Sequence, residues 1–231
     1  MKHVLFLFTV VLILLAACAP KGTSASPSAP PEATTQPPPP TDTPTLLEPM
    51  TLTSAAFANE GDIPARYGQK PFSIPHLDAT FVCTVSQEGQ ENVSLPLIWT
   101  NVPREAKSLV LLMGDQMNYA YPEAPADAVF SHWVVYNIPP SSTGLPEGVP
   151  AELTTLADGS MQGVNNYPGA YQAGYGGPCP GPNEKHLYVF TLYALDTVLD
   201  LPPGAEMDNV KVAMEGHILA QAELKGYFLD Q

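Results

Sequence analysis

The chain has 231 residues, with 23 Asp+Glu against 9 Lys+Arg and a formal net charge of −14. So acidic a composition excludes a general nucleic-acid-binding role, which depends on Lys and Arg neutralising phosphates, and it disfavours broad adhesion to anionic lipid headgroups. Any site for a phosphate-like group must be local, built by particular side chains and not by the field of the whole molecule.

Lys2 and His3 precede an uncharged apolar run from Val4 to Ala17. A membrane-crossing helix needs about 20 apolar residues. This run is shorter, and its layout is that of a secretory signal peptide over residues 1–17. It ends Leu15-Ala16-Ala17-Cys18, which resembles a bacterial lipobox: small residues for the peptidase, then a thiol that accepts lipid and becomes the first mature residue. Residues 18–49 read as the lipidated Cys18 and a Pro/Ser/Thr-rich linker, with Pro37 to Pro40 in a row. Few large apolar side chains are present there to offset ordering entropy, so the linker is expected to be disordered. Polyproline stretches would extend it at about 3.1 Å per residue. The expected localisation is extracytoplasmic, lipid-anchored to the cell membrane through Cys18.

Residues 50–231 are long enough for one domain with its own core. With Cys18 assigned to lipid, Cys83 and Cys179 remain. In an oxidising compartment such a pair suggests one disulfide, with two reduced thiols as the alternative.

Strand signals dominate this part. Leu95-Pro-Leu-Ile-Trp99 is a short run before the turn-like Asn101-Val-Pro103, and Ser108 to Met113 is a continuous apolar run of strand length. His132 to Ile138 is β-branched and aromatic and is stopped by Pro139-Pro140. His186 to Leu195 is aromatic-rich and partly alternating. A single helix is predicted, over about 207 to 220, with Val210, Met214 and Leu219 near one face; Ala222 to Phe228 is expected to return as a strand.

Two of these runs open with a histidine, and the Gly/Pro loop Gly174-Tyr-Gly-Gly-Pro-Cys-Pro180 lies between them in the chain. Imidazoles donate to phosphate oxygens, more strongly when protonated. Asp115 is placed to orient one imidazole and raise its pKa, Tyr188 to supply a hydroxyl and an apolar wall, and the loop to add backbone N–H groups. His217, on the predicted helix, reads as structural or exposed.

The order of blocks resembles the phosphatidylethanolamine-binding protein family, in its bacterial and archaeal branch known as Raf kinase inhibitor-like. The blocks are Thr53-Ser-Ala-Ala-Phe57, Leu95 to Pro103, His132-Trp-Val-Val-Tyr-Asn-Ile-Pro-Pro140, Gly174 to Pro180, His186 to Asp196, Leu199 to Ala205 and Ala213 to Ala220. The resemblance implies a mainly β fold, a large antiparallel sheet packed on smaller β structure with a C-terminal helix. It also implies a small pocket for phosphate-like groups such as a phospholipid headgroup. The carried-over ligand-binding residues are Asp115, His132, Gly177, Pro178, His186 and Tyr188, with Leu187 replacing the family's basic residue. The family's Asp-Pro-Asp-Ala-Pro motif is altered: Asp115 takes the place of its first aspartate, an extra stretch runs to Phe130, and Glu123-Ala-Pro125 is a displaced remnant of the second. Residues 68 to 82 look inserted before Cys83.

The expected function is a monomeric, membrane-tethered binding protein for a small anion or phospholipid headgroup. The alternative is an inhibitor or interaction protein acting on a protease or signalling partner. A hydrolase ranks last, because the chain contains no Gly-x-Ser-x-Gly elbow and no His-x-x-x-His or Cys-x-x-Cys metal spacing. No cofactor, metal or nucleic-acid partner is expected.

Overall fold

The apolar runs become the middle of a six-stranded sheet in the computed structural model, which describes residues 48–72, 88–167 and 174–229. Residues 1–17, Cys18, the linker to residue 47, Cys83 and residues 73–82 of the inserted-looking stretch lie outside the described residues. The described residues all fall within one compact unit, Thr45–Gln231.

In chain order the strands are β1 (Thr51–Ser54), β2 (Gly61–Asp62), β3 (Leu97–Thr100), β4 (Ser108–Gln116), β5 (Val129–Ile138), β6 (Gly144–Leu145), β7 (Met161–Gln162), β8 (Lys185–Leu195) and β9 (Ile218–Leu229). Among the described residues a 3₁₀ turn at Ala65–Tyr67 and two α-helices, α1 (Met117–Ala120) and α2 (Met207–Met214), interrupt them. The large sheet runs β2-β9-β8-β4-β5-β7 and a small one runs β1-β3-β6. Pairing is antiparallel throughout except between β2 and β9. No helix among the described residues is long and apolar enough to cross a membrane.

The central strands are buried on both faces, which is why they read as unbroken apolar runs. Leu109, Leu111 and Met113 of β4, with Trp133 and Val135 of β5 and Phe190 and Leu192 of β8, fill a core under the small sheet's Leu52, Leu97 and Trp99. The alternate residues Val110, Leu112, Val134 and Tyr136 fill a second core against Val210 and Met214 of α2. The expected mainly β architecture is the one observed.

Two boundaries differ from the sequence reading. The helix expected over 207–220 ends at Met214, and Gly216 takes a left-handed φ of 79° that closes it. Ile218 to Ala220 then belong to β9, so Leu219 lies on a strand and is exposed, while Val210 and Met214 are buried. β3 begins at Leu97 and not at Leu95, since Pro96 has no N–H to give to a ladder.

Candidate functional site

The register of β4 against β8 is unbroken and sets Asp115 opposite Tyr188. Paired residues share a face, so Asp115, Tyr188 and, two residues earlier, His186 continue the first core to its end. β5 does something different. Met113 pairs with Trp133 and Asp115 with Phe130, so β5 carries one extra residue between these pairs, a bulge at His132. Strict alternation would send His132 to the side of Val134 and Tyr136. The bulge re-aims it, and its ring packs on Phe130, Tyr167 and Tyr188 with centroids 5.0, 5.5 and 5.1 Å away.

His186 is clasped by two carboxylates. Its Nδ1 lies 2.5 Å from Asp115 Oδ2 and its Nε2 lies 3.2 Å from Glu184 Oε2. Carboxylates accept, so both ring nitrogens donate and the imidazolium form is favoured. Burial alone would lower the pKa of His186, but the Asp115 hydrogen bond and charge, joined by those of Glu184, outweigh it and hold it above its ordinary value. Glu184 also receives the Tyr121 hydroxyl at 2.9 Å and the Gly181 N–H at 3.2 Å. The Tyr121 hydrogen bond leads the causes that hold its pKa below the usual carboxylate range. Burial and then the bond to Glu184 push the Tyr121 phenol up to about 12.

His132 has the opposite bias. Its Nδ1 donates to the Gly176 carbonyl at 2.6 Å, which fixes the neutral tautomer and leaves Nε2 as the acceptor. Burial holds its pKa below the ordinary value, although the Asp115 charge and the loop carbonyls pull the other way. The same Gly176 returns its N–H to the His132 carbonyl at 2.8 Å. The Tyr167 hydroxyl donates to the Gly177 carbonyl at 2.7 Å, and the Gly177 N–H donates to Asn92 at 2.7 Å. The Gln69 N–H donates to the Pro178 carbonyl at 2.8 Å. These amides are engaged within the protein, so residues 176–178 contribute position where free N–H donors were expected. A Cβ at Gly177 would collide with the Tyr67 carbonyl oxygen and the Gln69 backbone nitrogen, so glycine is the residue that fits.

Asp115, His132, His186 and Tyr188 therefore come together, with Gly177 and Pro178 in the adjoining loop. Both imidazoles pack on the Tyr188 ring, His186 stacked at 6.5 Å between centroids and His132 edge-on at 5.1 Å. Burial and then the Asp115 charge push the Tyr188 phenol well above its ordinary pKa. Asp115 Oδ1 and Tyr188 Oη are buried with no hydrogen-bond partner among the described residues, with the Cys179 N–H beside the Tyr188 hydroxyl; Ser131 Oγ is likewise unpartnered, but Ser131 pairs with Gly114 and so lies on the other face of the sheet. His217 lies outside the cluster, exposed and bonded to Asp196 at 2.7 Å. Glu123, read as a displaced motif carboxylate, is exposed.

Sequence reasoning missed Tyr121, Tyr167 and Glu184. Glu184 was reachable, since it stands two residues before His186 and so on its side of an extended chain. Tyr121 was not, because it follows β4 and α1 in the extra stretch, whose path nothing in the sequence fixes. No group of three or more His, Cys, Asp or Glu placed to hold a metal occurs among the described residues. A cavity of 170 Å³ opens on the opposite face of the sheet, lined by Leu112, Thr191, Tyr193, Met207 and Lys211 among others, and shares no residue with the histidine cluster.

The sequence model of a family described as phosphatidylethanolamine-binding protein matches residues 53–229. A UPF0098 protein of Methanothermobacter thermautotrophicus is 47% identical over 179 residues, spanning 78% of this chain and 98% of that protein. Its counterpart in Chlamydia trachomatis is 37% identical over 179 residues, with the same two shares. Among solved structures, a phosphatidylethanolamine-binding protein homologue from Chlamydia trachomatis is 36% identical, covers 79% of this chain and 99% of its own, and gives a TM-score of 0.60. YbcL of Escherichia coli, 25% identical, covers 80% of this chain and 100% of its own with a TM-score of 0.60. The chain belongs to the phosphatidylethanolamine-binding protein family.

Proposed function

We propose that this chain, in the Raf kinase inhibitor-like branch of its family, is a membrane-tethered extracytoplasmic protein that binds a small anion of the phosphate or phospholipid-headgroup kind. The observation that carries the reading is the pair of buried, unpartnered polar atoms in the histidine cluster: Asp115 Oδ1 and Tyr188 Oη. Buried polar groups in folded proteins nearly always have hydrogen-bond partners. Two orphans in one histidine cluster are accounted for by a ligand with several oxygens and a proton of its own: the Tyr188 hydroxyl donates to a ligand oxygen, and Asp115 Oδ1 accepts from a ligand O–H or N–H. His186 supplies the positive charge, and His132 meets the ligand through Nε2, which takes up a proton as a phosphate oxygen arrives. The reading is of binding without turnover.

Calorimetry with inorganic phosphate and with glycerophosphoethanolamine tests it. Replacing His132 or His186 by Ala is expected to weaken binding about tenfold or more, the value of one charge-assisted hydrogen bond, with circular dichroism unchanged. Equal affinity in both variants would exclude this pocket.

The tether is proposed from Cys18. Mass spectrometry of the mature protein is expected to find lipid on that residue, and Cys18→Ala to release the protein from the membrane fraction. The Cys83–Cys179 bridge is proposed likewise, and a mass gain of two hydrogens on reduction is its signature. Its loss would cost about 2–5 kcal/mol.

A further inference from the structure

We infer that the Glu184 carboxylate is a resident occupant of the anion seat, and that a ligand binds by displacing it. The inference rests on the anion-binding reading of the cluster. One oxygen, Oε2, accepts three hydrogen bonds: from Tyr121 Oη at 2.9 Å, from the Gly181 N–H at 3.2 Å and from His186 Nε2 at 3.2 Å. The donors come from three separate stretches, the chain after α1, the 181–184 turn and β8. Donors that converge on one negatively charged oxygen make the arrangement a phosphate oxygen requires. Here the protein's own carboxylate fills it.

Glu184 is also placed to leave. Its side chain is 41% exposed, whereas that of His186 is 5% exposed. It hangs on a tight turn, with its N–H on the Gly181 carbonyl at 3.0 Å and Asn183 before it at a φ of 61°. Rotation about its side-chain torsions carries the carboxylate into solvent and empties the seat without opening the core. An attached carboxylate competes at an effective concentration on the order of millimolar or higher. Weak monoanions are thereby excluded, and a phosphate-type oxyanion enters by bringing charge and oxygens that Glu184 lacks. Apparent affinity falls by the fraction of time the seat is vacant.

Phosphate binding to the full-length chain, measured by calorimetry near neutral pH, separates the outcomes. If the seat is vacant about one-tenth of the time, Glu184→Ala tightens phosphate binding about tenfold. Gly181→Ala keeps every charge but places a Cβ 2.8 Å from Glu184 Oε2 and 2.9 Å from its Cδ, so it expels the carboxylate and is expected to tighten binding too. Glu123→Gln removes a neighbouring charge that acts on Tyr121 without emptying the seat, and is expected to change little. Unchanged or weaker binding in both Glu184→Ala and Gly181→Ala would overturn the inference, as would an equal gain in Glu123→Gln, which would mark a general field effect. Phosphate binding that is lost in His132→Ala but indifferent to Glu184→Ala would retain the pocket and remove the resident carboxylate. No phosphate binding in either wild type or Glu184→Ala would remove both.

Discussion

His132 and His186 share the Tyr188 ring yet are biased in opposite directions, and each leaves a distinct mark on stability. The folded pKa of His186 is raised, so its contribution is complete below its unfolded value of about 6.5 and is lost as pH rises through the folded value. The folded pKa of His132 is lowered, so its contribution is present above about 6.5 and is lost as pH falls through the folded value. Stability measured by urea unfolding should therefore fall on both sides of neutrality. Asp115→Asn should flatten the alkaline limb by removing the partner that holds His186 protonated. Titration by ¹⁵N NMR should find His132 as the Nδ1–H tautomer, and added phosphate should raise its pKa. The chemical identity of these residues was legible from the sequence. The opposite bias of His132 was not, because it depends on burial and on the carbonyl of Gly176, 44 residues further along the chain.

Elements decide which side chains meet. The apolar runs of β4, β5 and β8 were legible as strands, since side chains packed on both faces leave little room for anything polar. The bulge in β5 was not legible, for it arises from pairing with β4 and has no composition of its own. Without it His132 would face α2. The end of α2 was written at Gly216, but the run of good helix formers through Ala220 masked the start of β9. The loop at 174–180 is held by side chains as much as by backbone: Tyr167, Asn92 and Tyr175, the last donating to the Tyr67 carbonyl at 2.8 Å. Gly177→Ala should disturb this clamp by about 1–3 kcal/mol, the usual cost of overpacking. Urea unfolding reads that cost. Phosphate affinity should drop in the same variant, because the Gly176 carbonyl that fixes His132 moves with the loop.

At the scale of the whole molecule, two cores sandwich one sheet, and the site closes the end of the first. Trp133 is fully buried in that core, with its indole N–H on Gln162 at 2.8 Å. Trp133→Ala should cost about 3–5 kcal/mol, measured by urea unfolding, and should loosen the site through the adjacent bulge. On the proposed reading, the acidic surface leaves anion recognition to the buried cluster. The strand order carries a consequence for biosynthesis. β9 lies between β2 and β8, so residues 61–62 find their parallel partner only when residues 218–229 have left the ribosome. Ile63 and the edge of Phe57, which crowd Gly226, lack that cover until then. Such long-range pairing defers completion of the sheet. A chain halted after Gly216 should be cut readily by a protease that spares the finished protein, because its sheet still lacks the strand that joins both ends of the fold.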